Sequence, residues 1–472
     1  MRPMPIATIN PVTGEVLKTF DALPPEQIDA AVGRSADAFR TLQGTTFAQR
    51  AGWMRAAADL LEKEQDDIGA LMTLEMGKTF TAAKAEVVKC AKACRYYADN
   101  AESFLADEPA DSEAVGAARA YARYQPLGPV LAVMPWNFPL WQAMRFAAPA
   151  LMAGNTGLLK HASNVPQTAL YLGELFARAG FPNGAFQTLL VGSDAVEHIL
   201  SDSRVRAATL TGSENAGRSI AAIAGRELKK TVLELGGSDP FIVLPTADLE
   251  KAAEVGTTAR CQNNGQSCIA AKRFIVHTDV YDQFVDTFVA HMSALTVGDP
   301  MLDSTDVGPL ATEQGRTDVE EQVADAVAKG ATVHCGGERG EGTGWWYKPT
   351  VVSDLTPDMR MYSEEVFGPV AGIYRAGSLD EALEIANSSP YGLGSNAWTS
   401  DPDEINRLIN GLDAGAVFIN GMVTSFPQLP FGGVKNSGYG RELSAAGIRE
   451  FCNLKAVWVG DSGEADVDSA TE

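Results

Sequence analysis

A chain of 472 residues is too long for one simple core and implies two or three subdomains. With 45% hydrophobic and 21% charged residues it has an ordinary globular composition, and a formal net charge of −22 argues against nucleic acid and anionic membrane surfaces as partners. It also means that an anionic substrate would need a local cation. Six cysteines without a C-x-x-C pair, and five histidines without H-E-x-x-H spacing, argue against a zinc ribbon, a thioredoxin-like motif or any other metal site. So sparse a cysteine set fits a reducing cytoplasm.

The N-terminus, Met1-Arg2-Pro3-Met4-Pro5, has no apolar run and does not read as a signal peptide. Residues 25–104 are helical in pattern. Pro25 and Glu26 open one amphipathic segment, and 57–61, 68–74 and 82–97 carry apolar residues at three- and four-residue spacing. Gly77-Lys78-Thr79 ends like a P-loop, but Met72 occupies the required first glycine and the motif fails. Residues 125–144 carry no charge, long enough for a membrane span, yet Pro126, Pro129, Pro135 and Pro139 forbid a continuous helix there. The stretch reads instead as a buried strand followed by an irregular loop, in a soluble protein.

From residue 128 the texture changes. Short apolar runs at 130–134, 157–160, 188–191, 207–211, 231–235 and 241–244 alternate with helical stretches such as 165–179 and 214–224. This rhythm predicts an α/β fold with a mostly parallel sheet, whose strands present ligands at their carboxyl ends. A second set of α/β units runs from about 239 to 435. Gly392-Leu393-Gly394-Ser395-Asn396-Ala397 spells a dinucleotide fingerprint, but no clear strand precedes it and no helix follows. Thr211-Gly212-Ser213-Glu214 follows a strand and opens a helix, so it suits either a phosphate or a routine N-cap. The final twelve residues, 461–472, hold five acids and no base and read as a disordered tail.

Two residues carry the chemistry. Cys268 closes Asn263-Asn264-Gly265-Gln266-Ser267-Cys268, a polar and flexible string that makes poor core and a good functional loop. Glu234, within Leu233-Glu234-Leu235-Gly236-Gly237, sits among apolar neighbours that would raise its pKa toward neutrality. A thiol nucleophile and a carboxylate base are what making and hydrolysing a thioester require.

Over nearly its whole length the chain resembles the NAD(P)-dependent aldehyde dehydrogenases. The resemblance is carried by Pro135-Trp136-Asn137-Phe138-Pro139, Leu159-Lys160-His161-Ala162-Ser163, Thr211-Gly212-Ser213, Glu234-Leu235-Gly236-Gly237, Gly265-Gln266-Ser267-Cys268, Glu364-Glu365-Val366-Phe367-Gly368-Pro369 and Ser437-Gly438-Tyr439-Gly440-Arg441-Glu442. It implies Cys268 as nucleophile, the Asn137 amide as oxyanion donor and Glu234 as the base that activates water. It implies NADP or NAD as cofactor, held by Trp136, Lys160, Ser163, Gly212, Ser213, Glu365 and Phe367. Many NAD-preferring members carry glutamate where this chain has Ser163, and a neutral hydroxyl there avoids repelling a 2′-phosphate, which favours NADP.

Within the family the strings around residues 134–142 and 232–244 resemble bacterial succinate-semialdehyde dehydrogenases. Arg145 then matches a substrate-carboxylate ligand. Gln262 stands where some relatives place a second arginine, with Ser425 as a compensating donor and Trp141 as pocket wall. The alternative is a broad enzyme for uncharged aliphatic or aromatic aldehydes. The resemblance further implies a Rossmann-type cofactor domain (1–104 and 126–236) and a catalytic domain (237–435). It adds a small β arm with a C-terminal strand (105–125 and 436–460) that builds a homodimer or homotetramer.

Overall fold

The computed structural model of the chain describes residues 6–461, so all of the acidic tail after Asp461 lies outside the described residues. Four helices, Pro25–Leu42, Phe47–Lys63, Gln65–Met76 and Phe80–Phe104, form the N-terminal layer. The uncharged stretch is the strand Pro129–Met134, a loop, and the start of the helix Trp141–Ala153, all of whose residues are buried. Its lack of charge reflects burial between layers. Among the described residues no helix is long and apolar enough to cross a membrane.

The fold is that of an α/β protein built on two large sheets. A six-stranded sheet contains, in spatial order, Gly438–Tyr439, Lys230–Glu234, Ala207–Thr211, Pro129–Met134, Thr156–His161 and Phe186–Thr188; all are parallel except the short first one. Strand periodicity sorts side chains to two cores: Val130, Ala132 and Met134 pack with the helix Trp141–Ala153, whereas Leu131 packs on the opposite face with Ile220 and Ile223. A seven-stranded sheet holds Asp239–Val243, Ala271–His277, Val370–Ala376 and Asn396–Trp398 at its centre, all parallel. Phe241, Phe274 and Phe288 stack beneath it, with successive ring centroids 5.0 and 4.5 Å apart. A three-stranded antiparallel arm pairs Arg119–Pro126 with both Glu108–Pro109 and Cys452–Val459 of the same chain.

One predicted strand is misplaced. The run 188–191 is not a strand; the strand is Phe186–Thr188, and Leu189 and Val191 are buried in the loop that follows. Apolarity there reported burial rather than pairing. The glycine-rich spelling at 392–397 lies between the two-residue strand Tyr391–Gly392 and the strand Asn396–Trp398, with no helix opening at its end.

Two edges face each other across the site. The carboxyl ends of the first sheet deliver Trp136 and Asn137 after Met134, Ser163 after His161, Gly212 and Ser213 after Thr211, and Glu234 itself. The second sheet offers its amino ends: Cys268 precedes Ala271–His277, and Glu365 precedes Val370–Ala376.

Candidate active site

Cys268 lies on a backbone that few sequences could adopt. The helix Leu249–Cys261 ends, and Asn263 and Asn264 then take φ of 56° and 58°, followed by Gly265 at 74°. Glycine adopts this left-handed backbone freely, but for the two asparagines it costs about 1–3 kcal/mol each unless the surroundings over-determine it. Here they do. Asn264 Nδ2 donates to Gly77 O (2.8 Å) and Pro309 O (2.9 Å), while its Oδ1 accepts from Gly308 N (2.8 Å). Asn263 Nδ2 donates to Asn137 O at 2.7 Å, and Arg260 Nη2 to Gly265 O at 2.5 Å. A Cβ on Gly265 would stand 2.3 Å from the Gly368 backbone, so no other residue fits. Beyond the loop, Lys272 Nζ donates to Ser267 O (2.9 Å) and Cys268 O (2.7 Å).

Asn137 meets the same loop from the first sheet. Its Nδ2 donates to Gln266 O at 3.1 Å, and its Oδ1 accepts from Gln142 Nε2 at 3.4 Å. The segment carrying it is clamped. Glu86, on the buried stripe of Phe80–Phe104, accepts from the backbone N–H groups of Leu140 (2.9 Å) and Trp141 (2.8 Å) and pairs with the buried Lys78. It thus caps the start of the helix Trp141–Ala153, where unpaired amides need an acceptor. His161 Nδ1 accepts from Ala162 N, which assigns the proton to Nε2 and makes that nitrogen the donor to Pro139 O at 2.7 Å. Burial pushes this imidazole down to about 4, so it stays neutral.

The titratable groups are shifted together. Burial pushes the half-buried Cys268 thiol up to about 12, against the lowering pull of Arg145 and Lys272. Glu234 is 1% exposed, and neither of its carboxyl oxygens has a hydrogen-bond partner. Burial, then the neighbouring Glu442, raises it well above the usual carboxylate range, opposed by Arg145 and Arg441. Its backbone carbonyl accepts from Gly212 N at 2.9 Å, tying the acid to the loop at 211–213.

The other expected residues fall into two groups. Trp136 and Phe367 meet edge-to-face at 5.8 Å. Glu365 faces Lys272 Nζ at 3.2 Å, and a Cβ on Gly236 would stand 2.6 Å from its Oε2, so glycine is needed for the carboxylate to approach. Half-buried Lys160 has no acidic partner among the described residues, and burial lowers its pKa. Ser213 caps the helix Glu214–Arg226 by accepting from Ala216 N at 3.4 Å, so the capping reading of that motif holds at least. Thr211 Oγ1 beside it is buried without a partner.

Arg145 is not the free cation that the sequence suggests. Its Nε lies 2.7 Å from Glu442 Oε2, both residues are buried, and its guanidinium covers the Phe431 ring at 4.4 Å. Neither Nε nor Nη2 makes a hydrogen bond, so the contact with Glu442 is an ion pair. Trp141 is 2% exposed and donates its indole N–H to Ser425 Oγ at 2.9 Å, so it frames the cleft from within the core. Gln262 is half-buried at the end of Leu249–Cys261. Glu86, Lys272 and Lys89 escaped sequence reasoning, and Glu442 appeared there only as part of a motif, without its pairing to Arg145. Glu86 alone carried a signal, as an acid on a stripe with Ala83, Val87 and Cys90. Among the described residues no cluster of histidine, cysteine and acids could hold a metal.

A thiol held near 12 is un-ionised at neutral pH, and its thiolate fraction grows with pH until that value is reached. Alkylation of Cys268 in the cofactor-free protein should therefore accelerate by about tenfold per pH unit between about pH 7 and pH 9. A plateau within that window would show a thiol already ionised. Peptide mapping after timed iodoacetamide exposure reads this directly.

The comparisons with known proteins agree with this geometry. The profile of the aldehyde dehydrogenase family matches residues 2–457. The chain is 66% identical, over 99% of its length and all of the relative's, to succinate-semialdehyde dehydrogenase [NADP(+)] of Mycobacterium avium (strain 104). It is 67% identical, over 97% of its length and all of the relative's, to succinate-semialdehyde dehydrogenase [NADP(+)] 1 of Mycobacterium tuberculosis (strain ATCC 25618 / H37Rv). Among solved structures, succinic semialdehyde dehydrogenase from Streptococcus pyogenes in complex with NADP+ superposes with a TM-score of 0.93 at 39% identity, covering 96% of this chain and 100% of that one. The chain belongs to the aldehyde dehydrogenase family.

Proposed function

We propose that the protein oxidises succinate semialdehyde to succinate with NADP. The reading rests on one observation above others: Cys268 stands on a locked loop beside the Asn137 amide, in a chain 66% identical end to end to an enzyme named for this reaction. Cys268 loses its proton to solvent water, and the thiolate adds to the aldehyde carbon, breaking the C=O π bond to form a C–S bond and an alkoxide. The Asn137 Nδ2–H and the Cys268 backbone N–H take that oxyanion, a donor pair in which losing one member costs about 100- to 1,000-fold. NADP, when bound, would supply the hydride acceptor that takes this adduct to the thioester level on the Cys268 sulfur. Glu234, whose pKa burial has raised and whose oxygens have no partner, then takes a proton from water. Hydroxide adds to the thioester carbon, the C–S bond breaks, and succinate leaves.

Lys160, Ser163, Gly212, Ser213, Trp136, Glu365 and Phe367 would hold the cofactor. The fit is supported by Lys160, a half-buried cation without an acid beside it, and by Ser163, which brings no charge against a 2′-phosphate. Free cysteines throughout, with Cys90, Cys94, Cys261 and Cys452 buried, suit a reducing cytoplasm. Assembly as a homodimer or homotetramer is supported by the arm, where Leu454 and Trp458 stand 55% and 59% exposed. A monomer in sedimentation at micromolar concentration would overturn that assembly.

A kinetic panel tests the substrate and cofactor together. We expect kcat/KM for succinate semialdehyde to exceed that for butanal by at least about 100-fold, because buried groups built for a carboxylate are left unpaired by the analogue. NADP should outperform NAD, and Ser163→Glu should reverse that order. Equal use of the two aldehydes would favour the broad-specificity alternative. Cys268→Ala should make no NADPH.

A further inference from the structure

A cluster beside the nucleophile holds donors and lacks an acceptor. Ser425, 3% exposed, accepts two hydrogen bonds, from Trp141 Nε1 and from Lys89 Nζ, both at 2.9 Å. With both lone pairs used, its own hydroxyl hydrogen must be donated elsewhere, and no acceptor for it is found among the described residues. Lys89 is half-buried on the helix Phe80–Phe104, its ammonium 4.4 Å from the centre of the Trp141 ring. It makes no ion pair with any described acid, and apart from Ser425 it has no hydrogen-bond acceptor. The nearby acid, Glu86, is already committed to Lys78 and to two backbone amides. Burial, then the Arg145 guanidinium, pushes Lys89 down to about 8. A desolvated ammonium without a counter-ion is costly, and such groups persist where a ligand supplies the missing charge.

The position suits the reaction. Trp141, which Lys89 covers and Ser425 binds, precedes Gln142, whose Nε2 donates to Asn137 Oδ1 at 3.4 Å, and Asn137 Nδ2 donates to Gln266 O, two residues before Cys268, at 3.1 Å. Arg145 has spent its Nε on Glu442 and keeps Nη2 unpartnered. Beyond the Lys89–Ser425 hydrogen bond and the Arg145–Glu442 ion pair, Lys89, the Ser425 hydroxyl and Arg145 Nη2 keep N–H and O–H groups without an acceptor among the described residues. A monoanion with two oxygens fills that deficit, and an uncharged alkyl tail does not.

We infer that Lys89 is a specificity-determining anchor for the distal carboxylate of the aldehyde substrate, acting with the Ser425 hydroxyl; this rests on the proposed substrate reading. The chemical class is an aldehyde bearing a carboxylate at its far end. Lys89→Met keeps the chain length against Trp141 and removes the charge. We expect its KM for succinate semialdehyde to rise by roughly 10- to 100-fold, the worth of a hydrogen bond to a charged group, with kcat close to wild type. Butanal should be affected far less. Succinate, as a competitive inhibitor of butanal oxidation, should weaken by a similar factor, and Lys89→Arg should recover most of both effects. Lys89→Gln, shorter and neutral, should behave as Lys89→Met does. An equal loss on both aldehydes would make Lys89 a packing residue and overturn the inference. So would unchanged KM and unchanged succinate inhibition in an enzyme that still prefers succinate semialdehyde, and there the substrate reading would survive. A wild-type enzyme with no preference between the aldehydes would overturn both.

Discussion

The structure depends on holding two successive left-handed asparagines in the loop before Cys268. Asparagine tolerates the left-handed region better than other non-glycine residues, but usually singly, and Asn263 and Asn264 adopt it in succession. Each is fixed by a side-chain amide that reaches outside the loop, to Asn137 O on one side and to Gly77 O and Pro309 O on the other. The same bonds that stabilise the turn therefore fasten the loop of Cys268 to Asn137. Gly265 then brings the loop against the Gly368 backbone, only three residues from Glu365. A conformational requirement of a few residues fixes the relative placement of two sheets.

Electrostatics follows from the same burial. A half-buried thiol and a buried carboxyl are both pushed toward their neutral forms, which keeps the resting site free of unpaired anions. The cations around them are already committed: Lys272 to backbone carbonyls and Glu365, Arg145 to Glu442, Lys78 to Glu86. Lys160 and Lys89 differ from these in having no acidic partner among the described residues, and they are the cations proposed to meet the cofactor and the substrate tail. The net charge of −22 makes such sites necessary.

Much of this was legible in the sequence. The β-α-β rhythm reported the parallel sheet because its strands are buried on both faces and so are continuously apolar. It failed at 188–191 because buried loop residues, Leu189 and Val191, look the same as strand residues. Cys268, Asn137 and Glu234 stood out through local composition and motif. What the sequence could not show was who holds whom. Arg145 meets Glu442 almost three hundred residues away, so its diversion from a free ligand was invisible. Lys89 sits on an amphipathic helix among Lys84 and Lys92, and no spacing separates the one that turns inward.

The covalent role of Cys268, with hydrolysis assigned to Glu234, is tested most directly by trapping. Glu234→Gln mixed with succinate semialdehyde and NADP, quenched in acid and digested, should yield a burst of NADPH matching the subunit concentration. The peptide containing Cys268 should carry a retained succinyl thioester in mass spectrometry. A burst with no adduct on Cys268, or an adduct that turns over as fast as in the wild-type enzyme, would contradict the account.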